Sequence, residues 1–249
     1  MERGVGTEFL CDYCNCTQEE ANSRVKATID EVQKDHHVYK CIEHGMFANP
    51  RVDKHPLYKD IKGKFNDSDF NLLELGCCFG TDARKMIHDG LSSKQLTVSD
   101  LLDAYWLIGQ NVLFKDNISS PTWFVDFSVP IAVPNNLYNA INAQAILHCL
   151  SKQQVCDFLT NAFNHLKKNG VLFGNCAASK DVPKEWSETP TKGLQGRISS
   201  PRWLHNKDSL TELLICIGFV NVVVQQSSNL LNNTDHAILI FSGLKVRNK

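Results

Sequence analysis

The sequence predicts an α/β fold with a mostly parallel sheet and helices on both faces. Apolar strand patterns alternate with helical patterns between residues 71 and 175, an order that favours parallel pairing. Helix boundary signals agree with this alternation, because Gly90 follows one predicted helix and Ser151 precedes another. A length of 249 residues is sufficient for one large domain of this kind with additions.

Residues 1–69 are predicted to form a helical N-terminal extension or cap. Val25, Ile29 and Val32 follow at spacings of four and three residues, which places them on one helical face. We therefore predict a helix over residues 19–34, followed by a shorter helical segment over 38–44.

Residues 70–249 are predicted to form the second unit, in which most strands are separated by helices. The predicted strands cover residues 71–75, 95–99, 122–126, 138–144, 170–175, 219–226 and 236–241. The predicted helices cover residues 81–89, 101–114, 152–168 and 208–216. Residues 177–207 contain several prolines and glycines, and a connection of this length predicts a binding or covering loop.

Charge and hydropathy exclude several classes of partner. A formal net charge of -1 gives no basis for a nucleic-acid or anionic-membrane footprint. The longest apolar run, residues 213–224, is interrupted by Gly218 and Asn221, so we predict no membrane span. The N-terminus lacks an apolar signal region, and several cysteines fall in predicted helices or strands. We expect a cytoplasmic protein with packed, reduced thiols.

Three cysteines near the N-terminus, Cys11, Cys14 and Cys16, have spacings that resemble part of a zinc site. His36, His37 and Cys41 are conceivable further ligands, but a structural zinc site needs four ligands at defined spacings, and the second half is irregular. We therefore predict no metal.

A glycine turn between the first predicted strand and helix of this unit, Leu72-Leu-Glu-Leu-Gly-Cys-Cys-Phe-Gly-Thr-Asp82, is the main candidate binding feature. Such a turn lets the backbone approach a ligand closely. A phosphate-binding P-loop is excluded because Gly80 is not followed by Lys-Ser or Lys-Thr. A dinucleotide site is disfavoured because Asp82 would lie beside the pyrophosphate.

Acidic residues follow three consecutive predicted strands. Glu74, Asp100 and Asp126 should gather at one sheet edge, where open parallel sheets bind ligands. S-adenosylmethionine carries a sulfonium and an ammonium but no phosphate, so acids suit it. Asp100 is placed to accept the ribose hydroxyls, and Asp126 to meet the adenine amino group. The alternative for Asp100 and Asp126 is a helix-capping role.

These residues resemble the motifs of class I S-adenosylmethionine-dependent methyltransferases. Residues 72–80 are similar to the first motif of that family, and the resemblance continues to about residue 245. A closer resemblance is to the fungal terpenoid and meroterpenoid biosynthetic methyltransferases. It rests on the double cysteine, on Asp82 with Arg84 and Lys85, and on the segments at 41–58 and 204–210.

The resemblance implies a Rossmann-like sandwich with a mostly parallel seven-stranded sheet, an antiparallel last strand and S-adenosylmethionine as cofactor. It implies methyl transfer to a small, natural-product-like molecule, in some members to a carboxylate. The predicted cofactor-binding residues are Glu74, Gly76, Cys78, Gly80, Asp82, Asp100, Leu101, Asp126, Phe127 and Asn142. Cys78 is expected to substitute for a glycine with a negative φ.

Catalytic and substrate residues are predicted from the expected chemistry. A carboxylate acceptor is ionised at pH 7, whereas a hydroxyl acceptor needs a base. His148 and His205 are the candidates for that base, with plain packing as the alternative. Arg197, Arg202 and Trp203 are the candidates for substrate binding, because arginine can clamp a carboxylate through two hydrogen bonds. The alternative is that the arginines are solvated loop charges.

Three functions remain open at this point. The first is an active small-molecule methyltransferase, and the second is a methyltransferase-like binding or regulatory protein without turnover. The third is an NAD-dependent oxidoreductase. The identity of the methyl acceptor and the oligomeric state are not predicted.

Overall fold

The computed structural model describes residues 6–129, 131, 136–186, 201–227 and 236–246. The α-helices of this part are α1 Glu8–Cys14, α2 Gln18–Asp35, α3 Lys40–Glu43, α4 Tyr58–Lys62, α5 Thr81–His88, α6 Asp103–Ile108, α7 Lys152–His165 and α8 Lys207–Ile217. Short 3₁₀ turns cover Met46–Ala48, Val52–Lys54, Ser93–Gln95 and Leu147–Cys149, and a π-helical segment covers Gly109–Phe114.

The strands form one six-stranded sheet and one small two-stranded sheet. They are β1 Leu72–Leu75, β2 Leu96–Ser99, β3 Tyr138–Gln144, β4 Leu166–Ser179, β5 Lys184–Trp186, β6 Arg202–Leu204, β7 Val220–Gln226 and β8 His236–Leu244. The main sheet has the order β2-β1-β3-β4-β8-β7. Neighbours from β2 to β4 are parallel, and β8 is antiparallel to both β4 and β7. The predicted mostly parallel α/β sheet with an antiparallel last strand is confirmed.

In the part of the chain that the structure describes, residues 122–126 do not form the predicted strand, so the main sheet has six strands there instead of the expected seven. Only an isolated parallel bridge joins Val98 to Thr122 there. The backbone N–H of Trp123 still donates to the carbonyl of Val98 at 2.8 Å. The chain then turns at Asp126, whose carboxylate accepts from the backbone N–H of Ser128 at 2.9 Å, and this turn ends the pairing.

Two predicted helices have different boundaries in the structure. The helix predicted over 101–114 begins at Asp103 with Leu102 as its N-cap and continues as a π-helical segment, so Asp100 is not its cap. The helix predicted over 152–168 ends at His165 because the backbone enters β4 at Leu166. At its start, the predicted cap Ser151 accepts from the backbone N–H of Gln154.

The N-terminal extension packs against the glycine turn rather than away from it. Helix α2 begins with a capping box between Thr17 and Glu20, and its apolar face joins a buried cluster with Phe79 and Phe114. Two further clusters cover the sheet. One lies against α7 and α8, and the other against α4 and α5. The division of the chain at residue 69 stays a prediction.

Within the residues that the structure describes, no helix combines the length and the apolar character needed to cross a membrane.

Candidate functional site

Two adjoining cavities of about 230 Å³ each lie at the carboxyl ends of β1 and β2. Both are lined by Tyr39, Gly76, Asp100, Leu101, Ile146 and Cys149. The first cavity extends towards Asp126 and Phe127, and the second extends towards Glu74 and Asp82. Because they share six lining residues, the two cavities form one cleft across the glycine turn. This is the position at which open parallel sheets bind ligands.

Gly76 begins the turn and lines both cavities. Its φ is +70°, and a Cβ atom built there would lie 2.9 Å from Cδ1 of Ile146. The backbone N–H groups of Gly76 and Cys77 donate to the carbonyl of Ser99 at 2.8 and 3.0 Å, which holds the turn over the end of β2. Glycine at position 76 therefore satisfies both a left-handed backbone and a close approach.

Gly80 ends the turn. The sequence predicted that glycine is needed here for contact with the cofactor, but the structure gives a different reason. Gly80 has a φ of +74°, and a Cβ atom there would collide with the ring of Trp106 and lie 2.6 Å from Nη1 of Arg84. Gly80 does not line either cavity. The side chains of Trp106 and Arg84, rather than a ligand, therefore require glycine at position 80.

Cys78 has a φ of +48°, which contradicts the expected negative value. The turn needs a left-handed residue here, because the Cys78 N–H must point at Asp100, whose Oδ2 accepts from it at 2.8 Å. A non-glycine residue in this region costs about 1–2 kcal/mol. Cys78 lines the second cavity, so this strained residue faces the cleft.

Asp100 lies at the centre of the site. Its Oδ1 accepts from the backbone N–H of Leu101 at 2.7 Å, in addition to the bond from Cys78. Burial raises the pKa of the Asp100 carboxyl, and the backbone hydrogen bonds act in the opposite direction. The carboxylate therefore supports the turn and also borders both cavities.

Glu74 and Asn142 face each other as register partners of the parallel β1–β3 ladder. Both are buried, and Oε2 of Glu74 and Nδ2 of Asn142 have no hydrogen-bond partner among the described residues. Burial raises the pKa of Glu74 well above its usual range, and the nearby Asp82 carboxylate adds to the effect. Glu74 lines the second cavity, whereas Asn142, also predicted to bind the cofactor, lines neither cavity. Because buried polar atoms are normally paired, the unpaired Oε2 of Glu74 marks the place where a polar ligand group is expected.

Asp126, Phe127 and Leu101 line the first cavity, and their predicted role in binding the cofactor stays a prediction. The Asp126 carboxylate accepts from the backbone N–H and the hydroxyl of Ser128 at 2.9 and 2.6 Å. Phe127 is buried, whereas Leu101 is 55% exposed, so Leu101 lies at the open side of the cleft.

Asp82 is turned towards the N-terminal extension. Its Oδ1 accepts from the backbone N–H groups of Arg51 and Val52 at 2.6 and 2.9 Å. The hydroxyl of Thr81 donates to the carbonyl of Phe47 at 2.6 Å. The start of α5 therefore anchors the extension beside the second cavity, which Asp82 and Arg51 both line.

The two histidines predicted as catalytic lie outside the cavity linings. Nδ1 of His148 accepts from the backbone N–H of Ala177 at 3.3 Å. His205 is buried, with Nδ1 3.0 Å from the hydroxyl of Ser209. Burial lowers the pKa of His205 to about 4, and the positive charge of Lys152 contributes. His205 is thus held neutral in a packed position.

Of the predicted substrate residues, Arg202 lines the first cavity. Its guanidinium carbon lies 5.6 Å from the ring centroids of both Tyr39 and Trp186. Trp203 does not line either cavity, and the ammonium of Lys152 lies 5.0 Å from the centroid of its ring. Arg197 lies outside the described residues.

The N-terminal extension contributes cleft residues that the sequence patterns missed. Tyr39 lines both cavities and His37 lines the second, which is also lined by Tyr105 of α6. The rings of His37 and Tyr39 meet edge to face at a centroid distance of 4.4 Å. Helical periodicity predicted only that this region packs, and His37 was considered only as a metal ligand. No local signal identified these residues as cleft residues.

The N-terminal cysteines pack into the extension. Sγ of Cys14 lies 3.6 Å from the carbonyl oxygen of Phe114, and Sγ of Cys16 lies 3.7 Å from that of Leu10. Among the residues with described positions, no three or more His, Cys, Asp or Glu side chains are grouped as metal ligands.

Curated relatives of the chain are fungal methyltransferases. It is 32% identical over 108 residues to O-methyltransferase atr3 of Stereocaulon alpinum, covering 43% of this chain and 31% of that protein. It is 33% identical over 91 residues to methyltransferase adrK of Penicillium rubens, covering 36% of this chain and 32% of that protein. The matched segments thus span about a third of the length of these relatives. No protein-family model matches the chain.

Solved structures show the same fold at low sequence identity. A carbon methyltransferase, CurJ, aligns with a TM-score of 0.58 at 15% identity, covering 88% of this chain and 58% of that one. The 1,6-didemethyltoxoflavin N1-methyltransferase of Burkholderia thailandensis aligns with a TM-score of 0.56 at 11% identity, covering 93% and 92%. The fold is that of class I S-adenosylmethionine-dependent methyltransferases, and the predicted resemblance to fungal biosynthetic methyltransferases is confirmed.

Proposed function

We propose that this chain is an S-adenosylmethionine-dependent methyltransferase that acts on a small molecule. The observation that carries the proposal is the acidic cleft at the glycine turn, with Glu74, Asp82 and Asp100 on its wall. The fungal relatives carry methyltransferase names, which supports the same class of reaction.

The residues of the cleft fit this cofactor. Oε2 of Glu74 is buried without a partner among the described residues, so it suits a cationic or hydrogen-donating group. A phosphate at the same place would lie beside the carboxyl groups of Glu74, Asp82 and Asp100, and each of these that is ionised would repel it. The sulfonium and ammonium of S-adenosylmethionine carry the opposite charge.

Each cavity has residues for one part of the cofactor. In the first cavity, Asp100 would accept from the ribose hydroxyls, Asp126 would accept from the adenine amino group, and Leu101 and Phe127 would contact the ring. In the second cavity, Glu74 and the backbone at Gly76 would hold the amino-acid part. S-adenosylmethionine, when bound, supplies an electrophilic methyl group.

The contribution of the protein to methyl transfer is mainly positional. Holding an acceptor oxygen close to the methyl carbon and in line with the bond that breaks lowers the free-energy barrier to methyl transfer by several kcal/mol. The apolar side chains of Ile42, Phe47 and Phe79 line part of the second cavity and give an apolar acceptor a surface to pack against. No nucleophilic side chain of the protein is required for this step.

We propose oxygen methylation, with a carboxylate or a hydroxyl as the acceptor group. Arg51 and Arg202 line the two cavities and supply positive charge for an anionic acceptor. A hydroxyl acceptor would need a base, and His37 lines the second cavity whereas His148 and His205 do not. His37 is therefore the base candidate for a hydroxyl.

The experiment is incubation of the purified chain with methyl-labelled S-adenosylmethionine and a panel of apolar carboxylic acids, phenols and alcohols. Transfer of label to an acid or hydroxyl compound is the expected result. Mild alkali releases labelled methanol from a methyl ester but not from a methyl ether, which identifies the acceptor. Cofactor binding without label transfer to the panel or to a fungal metabolite extract would contradict enzymatic function.

A further inference from the structure

A buried arginine that lines neither cavity holds the glycine turn. Arg84 is fully buried, and its Nη1 donates to the carbonyl oxygens of Phe79 and Gly80 at 2.9 and 3.1 Å. Both carbonyls belong to the last part of the turn. The guanidinium therefore fixes the direction in which these peptide groups point.

Arg84 is itself held in one orientation. Its Nε and Nη2 donate to the two carboxylate oxygens of Asp116 at 2.8 and 2.7 Å. Its guanidinium carbon lies 4.1 Å from the ring centroid of Phe114 and 4.9 Å from that of Trp106. A guanidinium that is bound by a carboxylate through two hydrogen bonds and is close to two aromatic rings has little freedom to rotate.

The N-terminal helix α1 reaches the same carboxylate. The hydroxyl of Tyr13 donates to Oδ2 of Asp116 at 2.9 Å, across 103 positions of sequence. Burial raises the pKa of Tyr13 above its usual value and Asp116 raises it further, so the hydroxyl keeps its proton and stays a donor. A continuous path of hydrogen bonds thus runs from α1 through Asp116 and Arg84 to the turn.

The absence of a side chain at Gly80 leaves room for the guanidinium of Arg84. Gly80 is the residue at which a Cβ atom would lie 2.6 Å from Nη1 of Arg84, and Gly80 does not line either cavity. Trp106 and Arg84 together therefore require the glycine. Asp116 and Tyr13 in turn hold Arg84 in position.

We propose that Tyr13, Asp116 and Arg84 are positioning residues that hold the glycine turn in its cofactor-binding conformation. The docking of α1 therefore tunes cofactor affinity from outside the cleft. This inference rests on the proposed function, because it takes the turn to bind S-adenosylmethionine.

The test compares Tyr13→Phe, Asp116→Asn and the double variant with the wild type. S-adenosylhomocysteine affinity is measured by calorimetry, and amide hydrogen exchange at residues 76–80 is measured in the ligand-free protein. Tyr13→Phe removes one hydrogen bond to a charged group and should weaken binding about threefold to tenfold and speed exchange in the turn. The double variant should bind no more weakly than Asp116→Asn alone, because both changes interrupt one path.

Tyr58→Phe is the matched control. The hydroxyl of Tyr58 donates to Oδ2 of Asp89 at 2.7 Å, just beyond the opposite end of α5, and Tyr58 does not line either cavity. This variant should keep wild-type affinity and wild-type exchange at residues 76–80. Equal effects of Tyr13→Phe and Tyr58→Phe, or no effect of Tyr13→Phe, would overturn the inference. A wild type that does not bind S-adenosylhomocysteine would contradict the proposed function, and the exchange data would still decide whether Tyr13 and Asp116 hold the turn.

Discussion

Glu74 and Asn142 are neighbours in the β1–β3 ladder, and each leaves one buried polar atom without a hydrogen-bond partner among the described residues. An oxygen of Glu74 and the amide nitrogen of Asn142 are thus buried on adjacent strands, and of the two residues Glu74 lines the second cavity. Unpaired buried atoms of this kind cost about 1–3 kcal/mol each. That cost is offset when a bound ligand supplies the missing partners.

Cofactor binding should release protons from Glu74. Its pKa is raised well above the usual range in the free protein, chiefly by burial, so the carboxyl is protonated below that raised value. A cationic ligand favours the carboxylate and lowers this pKa. Affinity should therefore rise with pH, by at most about tenfold per pH unit for one proton.

Calorimetry in buffers with different ionisation enthalpies measures this proton release directly. The Glu74→Gln variant should release fewer protons when the cofactor binds, because Glu74 no longer contributes. Its cofactor affinity should also depend less on pH. Equal proton release in the wild type and Glu74→Gln would assign the titration to another group.

Alanine should be tolerated far less at Gly80 than at Gly90. Both glycines have positive φ values, +74° and +109°, so both substitutions carry backbone strain of about 1 kcal/mol. A Cβ atom at Gly80 meets Trp106 and Arg84, whereas one at Gly90 has nothing within 4 Å. Overpacking adds about 1–3 kcal/mol at Gly80 alone. Urea unfolding should show this difference, and equal losses of free energy would mean that the turn does not pack on Arg84 as described.

His205 should make the protein sensitive to acid. Its pKa in the folded state is about 4, below the value near 6.5 of an exposed histidine. A lowered pKa contributes stability that is fully present above about pH 6.5 and is lost as the pH falls towards 4. The loss amounts to about 3 kcal/mol at most.

Urea unfolding of the wild type and His205→Asn between pH 7 and pH 4 measures this contribution. The difference in unfolding free energy between the two proteins should shrink as the pH falls. His44→Asn, at an exposed position, is the control. A wild-type-like pH profile in His205→Asn would show that His205 does not carry the effect.

His37→Gln should lower kcat for a hydroxyl acceptor by about 100-fold or more, because general base catalysis contributes on this scale. The same change should have little effect on a carboxylate acceptor, which is already ionised. His148→Gln is the comparison, since His148 lies outside both cavity linings. A large loss in His148→Gln with none in His37→Gln would restore the original sequence-based assignment.

The sequence predicted the parts of the fold that depend on local pattern. Alternating strands and helices, the boundary at Gly90 and the cap at Ser151 follow from periodicity and short-range hydrogen bonding. The prediction of a strand over residues 122–126 was wrong. Its apolar pattern is a local property, whereas strand pairing also depends on the point at which the chain turns away from the edge of β2, which is Asp126.

The site residues show the same difference between features that follow from local pattern and features that depend on contacts distant in sequence. The positions of Gly76, Asp100 and Asp126 on the cleft lining follow from the meeting of parallel strand ends at one edge, and their role in cofactor binding stays a prediction. The positive φ of Cys78 was missed because it depends on a hydrogen bond to Asp100, 22 positions away. The cleft roles of His37 and Tyr39 were missed because they depend on how the extension folds back over the sheet.

Binding of S-adenosylhomocysteine, measured by calorimetry on the wild type and Asp100→Ala, tests the cofactor assignment most directly. Asp100→Ala removes the support of Cys78 and the acceptor for ribose, so affinity should fall by about 2 kcal/mol or more, roughly 30-fold. Asp103→Ala, an exposed acid at the start of α6, should keep wild-type affinity. We expect sub-millimolar binding by the wild type and by Asp103→Ala. No binding by the wild type, or wild-type affinity in Asp100→Ala, would contradict the assignment of this cleft.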